Sequence, residues 1–468
     1  MSTLQVEDIQ GLLLHGYGAL KGARYVALRI VQPGAARAWL SGLSLRDATR
    51  KPGAADRCVN VAFTSSGLAQ LGLAPDLLAM FSGEFREGMG ATPHRQRLLG
   101  DLGESAPSEW QWGGPEYPVD LLLMLFAADK AAVSTLYDEH AAKFAAAGVE
   151  LVKDLPTDWL PDFKEHFGFR DGISQPQIDG WGEDGPPHNR IAAGEFILGY
   201  VNGYGQFVER PLLPPARDPR GLLPDAPDHA DTRDLGKNGS YMVFRQLSQD
   251  VTGFWRFLAG KAPNLQAQIA LAAKMVGRWP EGASLVQSPE APPAEPVADN
   301  DFLYYGSGDP HGFKCPLGAH VRRTNPRDSL DPEPGSERSI EVGKRHRILR
   351  RGRTYGEPVV ADMNIAELAV ATENTAPRGL HFICFNTHIS RQFEFIQHTW
   401  VNSPKFDGLY SEDDPLVGPR NGAGGTFCMQ AEPVRKRVTG LPKFVRMRGG
   451  GYFFLPGIRA VKYLASVG

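Results

Sequence analysis

Four strand-then-helix pairs, two in each half of the chain, constrain this sequence more than any other feature. Residues 24–31 read as a strand, and residues 35–43 then read as a helix. Residues 120–126 form an almost continuous apolar run of strand length. Behind that run, Val133, Leu136, Tyr137, His140 and Phe144 recur at helical spacing on one face. In the second half, residues 241–245 precede a helical stretch at 251–258. Residues 380–385 precede another, in which Phe393, Ile396 and Trp400 share a face. The repetition predicts two similar α+β domains, each an antiparallel β-sheet with helices packed on one face. A chain of 468 residues is too long for one ordinary core, so more than one domain is expected on size alone.

Long segments without periodicity separate the repeats. Residues 211–234 are rich in Pro, Asp and Arg, and residues 288–299 are rich in Pro and Ala. Loops of that length inside a domain are usually functional or disordered. These flank the most chemically suggestive residues, which favours function. Lys and Arg number 50 against 53 Asp and Glu, a net charge of −3, so no nucleic-acid or anionic-membrane partner is expected. No apolar run is long enough to span a bilayer. Cys58, Cys315, Cys384 and Cys428 are far apart, without a C-x-x-C pair. That spacing argues against zinc, an iron–sulfur cluster or a disulfide framework. Together with an N-terminus that lacks a secretory pattern, it gives the expectation of a cytoplasmic protein.

Three constellations carry chemistry. The first is Gly168-Phe-Arg-Asp171-Gly172, where glycines flank a carboxylate and let backbone approach a flat ligand. Taken alone it is a turn with an Asx-type bond. The second is residues 315–327, where His320 stands among small and apolar residues with Arg322, Arg323 and Arg327 close behind. A neutral imidazole is a good axial ligand for haem iron, and nearby arginines neutralise haem propionates. One histidine among 12 in an apolar setting decides nothing by itself. The third is the basic run at 344–356. If it is a strand, Arg345, Arg347, Leu349, Arg351 and Arg353 share a face that reads as solvated. His346, Ile348 and Arg350 share the other, which sends Arg350 inward.

Together these segments resemble the dye-decolorizing peroxidase family. The family's G-x-x-D-G element falls on Gly168 to Gly172, its aspartate on Asp171, its proximal haem histidine on His320 and its distal arginine on Arg350. Further family-like stretches occur at 8–11, 61–64, 194–200, 299–302, 391–397 and 449–456, so the resemblance covers nearly the whole chain. It implies two ferredoxin-like domains: an N-terminal one over 1–165, a distal-loop region over 166–235 and a haem-binding one over 236–468. It also implies haem b held by His320, with Asp171, Arg350 and Arg323 as further haem-contacting residues. Many members carry an acid before the segment at Arg391, where this chain has His388. The hydrogen-bond partner of His320 is therefore left open.

The function implied is that of a haem peroxidase, which reduces hydrogen peroxide and oxidises bulky dyes, phenolics or other organic reductants through a high-valent haem iron. A carboxylate such as Asp171 shuttles the peroxide proton, and a permanently charged arginine such as Arg350 stabilises the charge that develops as the O–O bond breaks. The alternative is a haem-binding or haem-handling protein with little turnover, against which the acid–base pair speaks. The oligomeric state is left open, and 13 Tyr and 8 Trp are too many to single out an electron exit.

Overall fold

The computed structural model describes residues 3–182, 185–295, 297, 299–372, 375–420 and 424–467. Its centre is one sheet of β1 (Gly22–Ile30), β2 (Cys58–Phe63), β3 (Leu121–Ala127), β4 (Val149–Pro156), β5 (Ser240–Gln249), β6 (Leu349–Arg350), β7 (Arg353–Tyr355), β8 (Gly379–Asn386) and β9 (Val445–Leu455). The order across it is β6-β8-β5-β9-β2-β3-β1-β4, with β7 also pairing β8, and all its pairs are antiparallel. Within each half the fourth strand neighbours the first, then the third, then the second. That is the ferredoxin-like order, present twice. The two half-sheets are joined by a single ladder pair, Phe454 with Phe63. At this seam the Gln10 side chain donates to the carbonyls of both Val61 and Pro456 (2.9 Å each) and accepts from the Val61 N–H (3.0 Å).

The labelled helices are α1 (Gly11–His15), α2 (Pro33–Ser41), α3 (Lys130–Ala141), α4 (Val251–Ala259), α5 (Leu265–Val276), α6 (His320–Thr324) and α7 (residues 390–401). Strand alternation sends Val26, Leu28, Val61 and Leu123 to the face covered by α2 and α3, through Ala36, Leu40, Val133 and Leu136. The opposite face is not left to solvent. Tyr25, Ala27, Met124, Phe126, Met242 and Phe244 pack there against Leu12, Leu13, Tyr17 and Trp112. A sheet covered on both faces explains why residues 121–127 are buried throughout rather than alternating.

The basic run departs from expectation. Its strand is confined to Leu349–Arg350 and Arg353–Tyr355, preceded by a helix at Glu337–Lys344. Two arginines of the face that reads as solvated, Arg351 and Arg353, pack instead on the N-terminal segment. Arg351 donates to the carbonyls of Leu12, Leu13 and Leu14, and Arg353 to those of Tyr17 and Leu20, so both guanidinium groups satisfy carbonyls at and beyond the end of α1. The other unexpected feature is α7, built from the wide turns Ser390–Glu394 and Ile396–Val401, with Glu394 N–H bonded to Ile389 O and Asn402 N–H to Gln397 O. The wider turn separates the expected face. Phe393 and Ile396 look into a cavity, whereas Trp400 packs against His346 and Phe406.

Candidate active site

In the second half, the helix-side face of the sheet is held off its helices and bounds a cavity. Leu247 of β5, Phe382 of β8 and Met447 of β9 form its floor. Val276 of α5, His320 of α6, and Phe393 and Ile396 of α7 form further walls, and the space with its mouth amounts to about 1850 Å³. Asp171 and Arg350 line the same cavity, so the structure brings together three of the four residues singled out from the sequence.

His320 opens α6, and its Nδ1 lies 2.8 Å from Asp414 Oδ2. The other Asp414 oxygen accepts from the Leu416 and Val417 N–H groups at 2.9 and 3.0 Å, and the carboxylate is fully buried. Burial alone would lower the His320 pKa, but the Asp414 charge and hydrogen bond outweigh it and raise it. Burial would likewise raise Asp414, yet His320 and Arg323 hold it well below the ordinary carboxylate range. This contact fixes the ring with Nε2 free of any protein partner among the described residues and turned to the cavity. Asp414 is thus the partner of His320 that the sequence leaves open. His388 does not line the cavity; its Nδ1 stays with Ser390 Oγ (3.2 Å), and its surroundings include Glu84, Glu195 and Glu209.

Asp171 sits after a backbone reversal in which Gly168 takes φ +98° and a side chain there would collide with Ile365. Its Oδ1 accepts from the Gly172 N–H (2.6 Å) and from Arg350 Nη1 (2.8 Å). Oδ2 of Asp171, and Nε and Nη2 of Arg350, have no protein partner among the described residues. Burial pushes the Asp171 pKa up, but Arg350 and the Gly172 N–H prevail and leave it below its ordinary value. Arg350 points inward, as strand alternation predicts.

Arg323 is placed differently from the expectation that it meets a haem propionate. It is fully buried away from the cavity, donating to the carbonyls of Gly318, Trp400, Ser403 and Glu412. It ties α6 to the end of α7 and to the loop carrying Asp414. The arginine the sequence reading missed is Arg347. It lines the cavity, is 9% exposed, and donates to Asn189 Oδ1 (3.0 Å) with no carboxylate partner among the described residues. Burial, then the charges of Arg327 and Arg350, pull its pKa down to about 9. Its alternation with Arg345 and Arg351 concealed it.

Glu165 was also missed. Its carboxylate accepts from the Phe167 and Phe169 N–H groups (3.0 Å each) and from Gln249 Nε2 (2.6 Å), and burial pushes it up to about 7. The long loops contribute only indirectly. No described residue of 211–234 or 288–299 lines the cavity, although the Asp299 carbonyl accepts from Arg278, a cavity residue.

No family model matches the chain. Among curated proteins, the chain is 31% identical over 422 residues to the multifunctional dye peroxidase DyP2 of an Amycolatopsis species, covering 87% of this chain and 82% of that one. It is 29% identical over 439 residues to the dye-decolorizing peroxidase msp1 of Mycetinis scorodonius, covering 87% and 76%. Among solved structures, the fungal DyP-type peroxidase of Auricularia auricula-judae superimposes over the full length of both chains with a TM-score of 0.78 at 26% identity. Sequence likeness across most of a relative and the same fold from end to end agree, and the chain belongs to the dye-decolorizing peroxidase family of haem peroxidases.

Proposed function

We propose that Asp171 and Arg350 carry out the peroxide chemistry of this enzyme beside a haem b whose iron is held by His320. The protein is a peroxidase that reduces hydrogen peroxide and oxidises dyes and phenolics. The residues present fit its haem. His320 offers Nε2 to the cavity, much of the wall is apolar, and Arg347, without a carboxylate partner among the described residues, offers a buried positive charge for a propionate. When bound, the haem supplies the redox chemistry, accepting the oxidising equivalents of peroxide and passing them to the reductant. Asp171 Oδ2, its free oxygen, takes the proton from one peroxide oxygen and returns it to the other, which leaves as water. Arg350 Nη2 and Nε donate to the oxygen on which negative charge grows. Asp414 holds the His320 ring by its Nδ1, so that Nε2 would be the nitrogen offered to the iron. The observation that carries this reading is the free valence on both members of the Asp171–Arg350 pair. It also favours turnover over mere haem handling, which needs no such pair.

Stopped-flow measurement of the peroxide step against pH tests the assignment. A carboxylate held below its ordinary value stays ionised as pH falls and is lost as base only when pH passes through that lowered value. The rate should therefore hold from pH 7 to roughly pH 5 and fall only below about pH 4, and Asp171→Asn should remove that acid limb. A limb centred near 7 that Glu165→Gln removes would transfer the role to Glu165. A limb near 6.5 removed by replacing a histidine other than His320 would assign it there.

Asp414→Asn should weaken haem retention about 10- to 100-fold, because it removes the charge that orients and polarises His320. It should also raise the Fe(III)/Fe(II) potential, since an anionic partner favours the ferric state. Haem titration of the apoprotein and spectroelectrochemistry measure the two effects.

The domain limits at 165 and 235 are retained as a proposal, supported by the placing of β1–β4 before the first limit and β5–β9 after the second. No helix among the described residues is long and apolar enough to cross a membrane. Cytoplasmic residence is likewise proposed, supported by four unpaired, buried cysteines.

A further inference from the structure

Arg350 lies in an edge strand, and its backbone faces the wrong way to be held by the sheet. It stands opposite Cys384 of β8, but the N–H that reaches across to β8 is that of Arg351, bonded to Ile383 O at 2.8 Å. In an antiparallel pair the polar groups of alternate residues turn outward, and those of Arg350 do so here. An edge residue in this setting ordinarily presents them to water or to another chain. Gln175 occupies the place instead. Its Oε1 accepts from the Arg350 N–H (3.2 Å), and its Nε2 donates to the Arg350 carbonyl (3.1 Å). That carbonyl also accepts from Arg351 Nη1 (3.1 Å), whereas the Arg350 N–H has Gln175 as its acceptor. Gln175 is anchored in turn, since its own carbonyl accepts from Asn189 Nδ2 (2.9 Å). One residue earlier, Ser174 Oγ accepts from Asn325 Nδ2 (3.3 Å), just past α6. Four residues earlier stands Asp171.

We propose that Gln175 is a positioning residue for the peroxide step. Acting as a one-residue strand on the open edge of β6, it ties the Arg350 backbone to the segment that carries Asp171. The guanidinium then meets Asp171 Oδ1 with its other nitrogens free. Without this tie Arg350 hangs on a two-residue strand and its neighbours. A displacement of about 1 Å at a reacting group can cost on the order of 10²-fold in rate. The inference rests on the peroxide-handling reading given above for Asp171 and Arg350.

Gln175→Met keeps the length of the side chain and removes both hydrogen bonds. Gln175→Ala, which admits water rather than an apolar group, is measured in parallel in case the first variant folds poorly. Amide hydrogen exchange at Arg350 should quicken at least about 10-fold in the haem-loaded protein and in the apoprotein, as a held edge amide is released. The bimolecular peroxide rate should fall about 10- to 100-fold. Haem retention, the Soret band and the KM for the organic reductant should stay at parent values. Unchanged exchange at Arg350 would overturn the proposal, as would faster exchange with an unchanged peroxide rate. A fall in haem retention matching the fall in rate would also overturn it, because it marks a general structural role. Parent-like peroxide rates in both Arg350→Leu and Asp171→Asn would sink the reading beneath the proposal. That failure is distinguishable, because exchange at Arg350 in Gln175→Met would still rise.

Discussion

Purified His320→Ala is expected to carry little or no haem, the largest effect of any single substitution in this protein. His320 offers the cavity an imidazole nitrogen whose partner nitrogen is already committed to a buried carboxylate. Its loss removes the ligand proposed above and leaves Asp414 as a buried charge without its neighbour, which adds to the damage. Exogenous imidazole should restore a six- or five-coordinate spectrum in part, because the cavity and Asp414 remain. His388→Ala should retain haem near the parent level, since His388 lies away from the cavity walls. Soret absorbance per polypeptide, read after haem supplementation, decides the matter. Haem retained in His320→Ala and lost in His388→Ala would reverse the assignment.

Arg350→Leu is expected to keep its haem and lose the peroxide step by about 10²- to 10³-fold, the usual consequence of removing one preorganised donor to a developing charge. The structure adds a second consequence. Arg350 is the principal charge opposing the burial of Asp171, so without it burial is left to push the Asp171 carboxyl upward. The acid limb of the rate profile should then move to higher pH, and the deficit should be larger at pH 5 than at pH 7. Asp171→Asn removes the proposed proton carrier but leaves Arg350 and water, so its loss should be smaller than that of Arg350→Leu at pH 7. Stopped-flow rates for both variants across pH test these points. An unshifted limb in Arg350→Leu would show that the pair is not coupled in the working enzyme.

The other arginines place a limit on reading charge from sequence. Arg323, in the basic segment behind His320, reads as suited to an anionic cofactor, whereas Arg347 shares a face that reads as solvated. Arg323 has its donors taken by backbone carbonyls at the end of α7 and in the loop before Asp414, while Arg347 keeps a charge unpaired at the cavity wall. Carbonyl groups without strand or helix partners are invisible in a sequence, yet they decide which guanidinium is consumed structurally. Arg351 and Arg353 show the same thing at α1, where a face that reads as solvated satisfies carbonyls of the N-terminal segment.

The sequence by itself determined the repeated strand–helix plan, because alternation and helical spacing are local records of which face is buried. It also singled out His320 and Asp171 as candidates, through their resemblance to the family's motifs, and Arg350 through that resemblance and strand alternation. Tertiary structure alone decided the rest. Asp414, 94 residues beyond His320, stands in the acidic run Glu412-Asp413-Asp414, and nothing in that run links it to His320. Only the chain's return past α6 makes it the partner of His320. Gln175 has no sequence signal beyond its nearness to Asp171, and its role exists because β6 ends the sheet with the Arg350 backbone facing outward. The wide turns of α7 likewise redirected Trp400 away from the face it shares with Phe393 at ordinary helical spacing. Periodicity reports burial along one segment, whereas hydrogen-bond partners, edge positions and turn width depend on what another segment brings within about 3 Å.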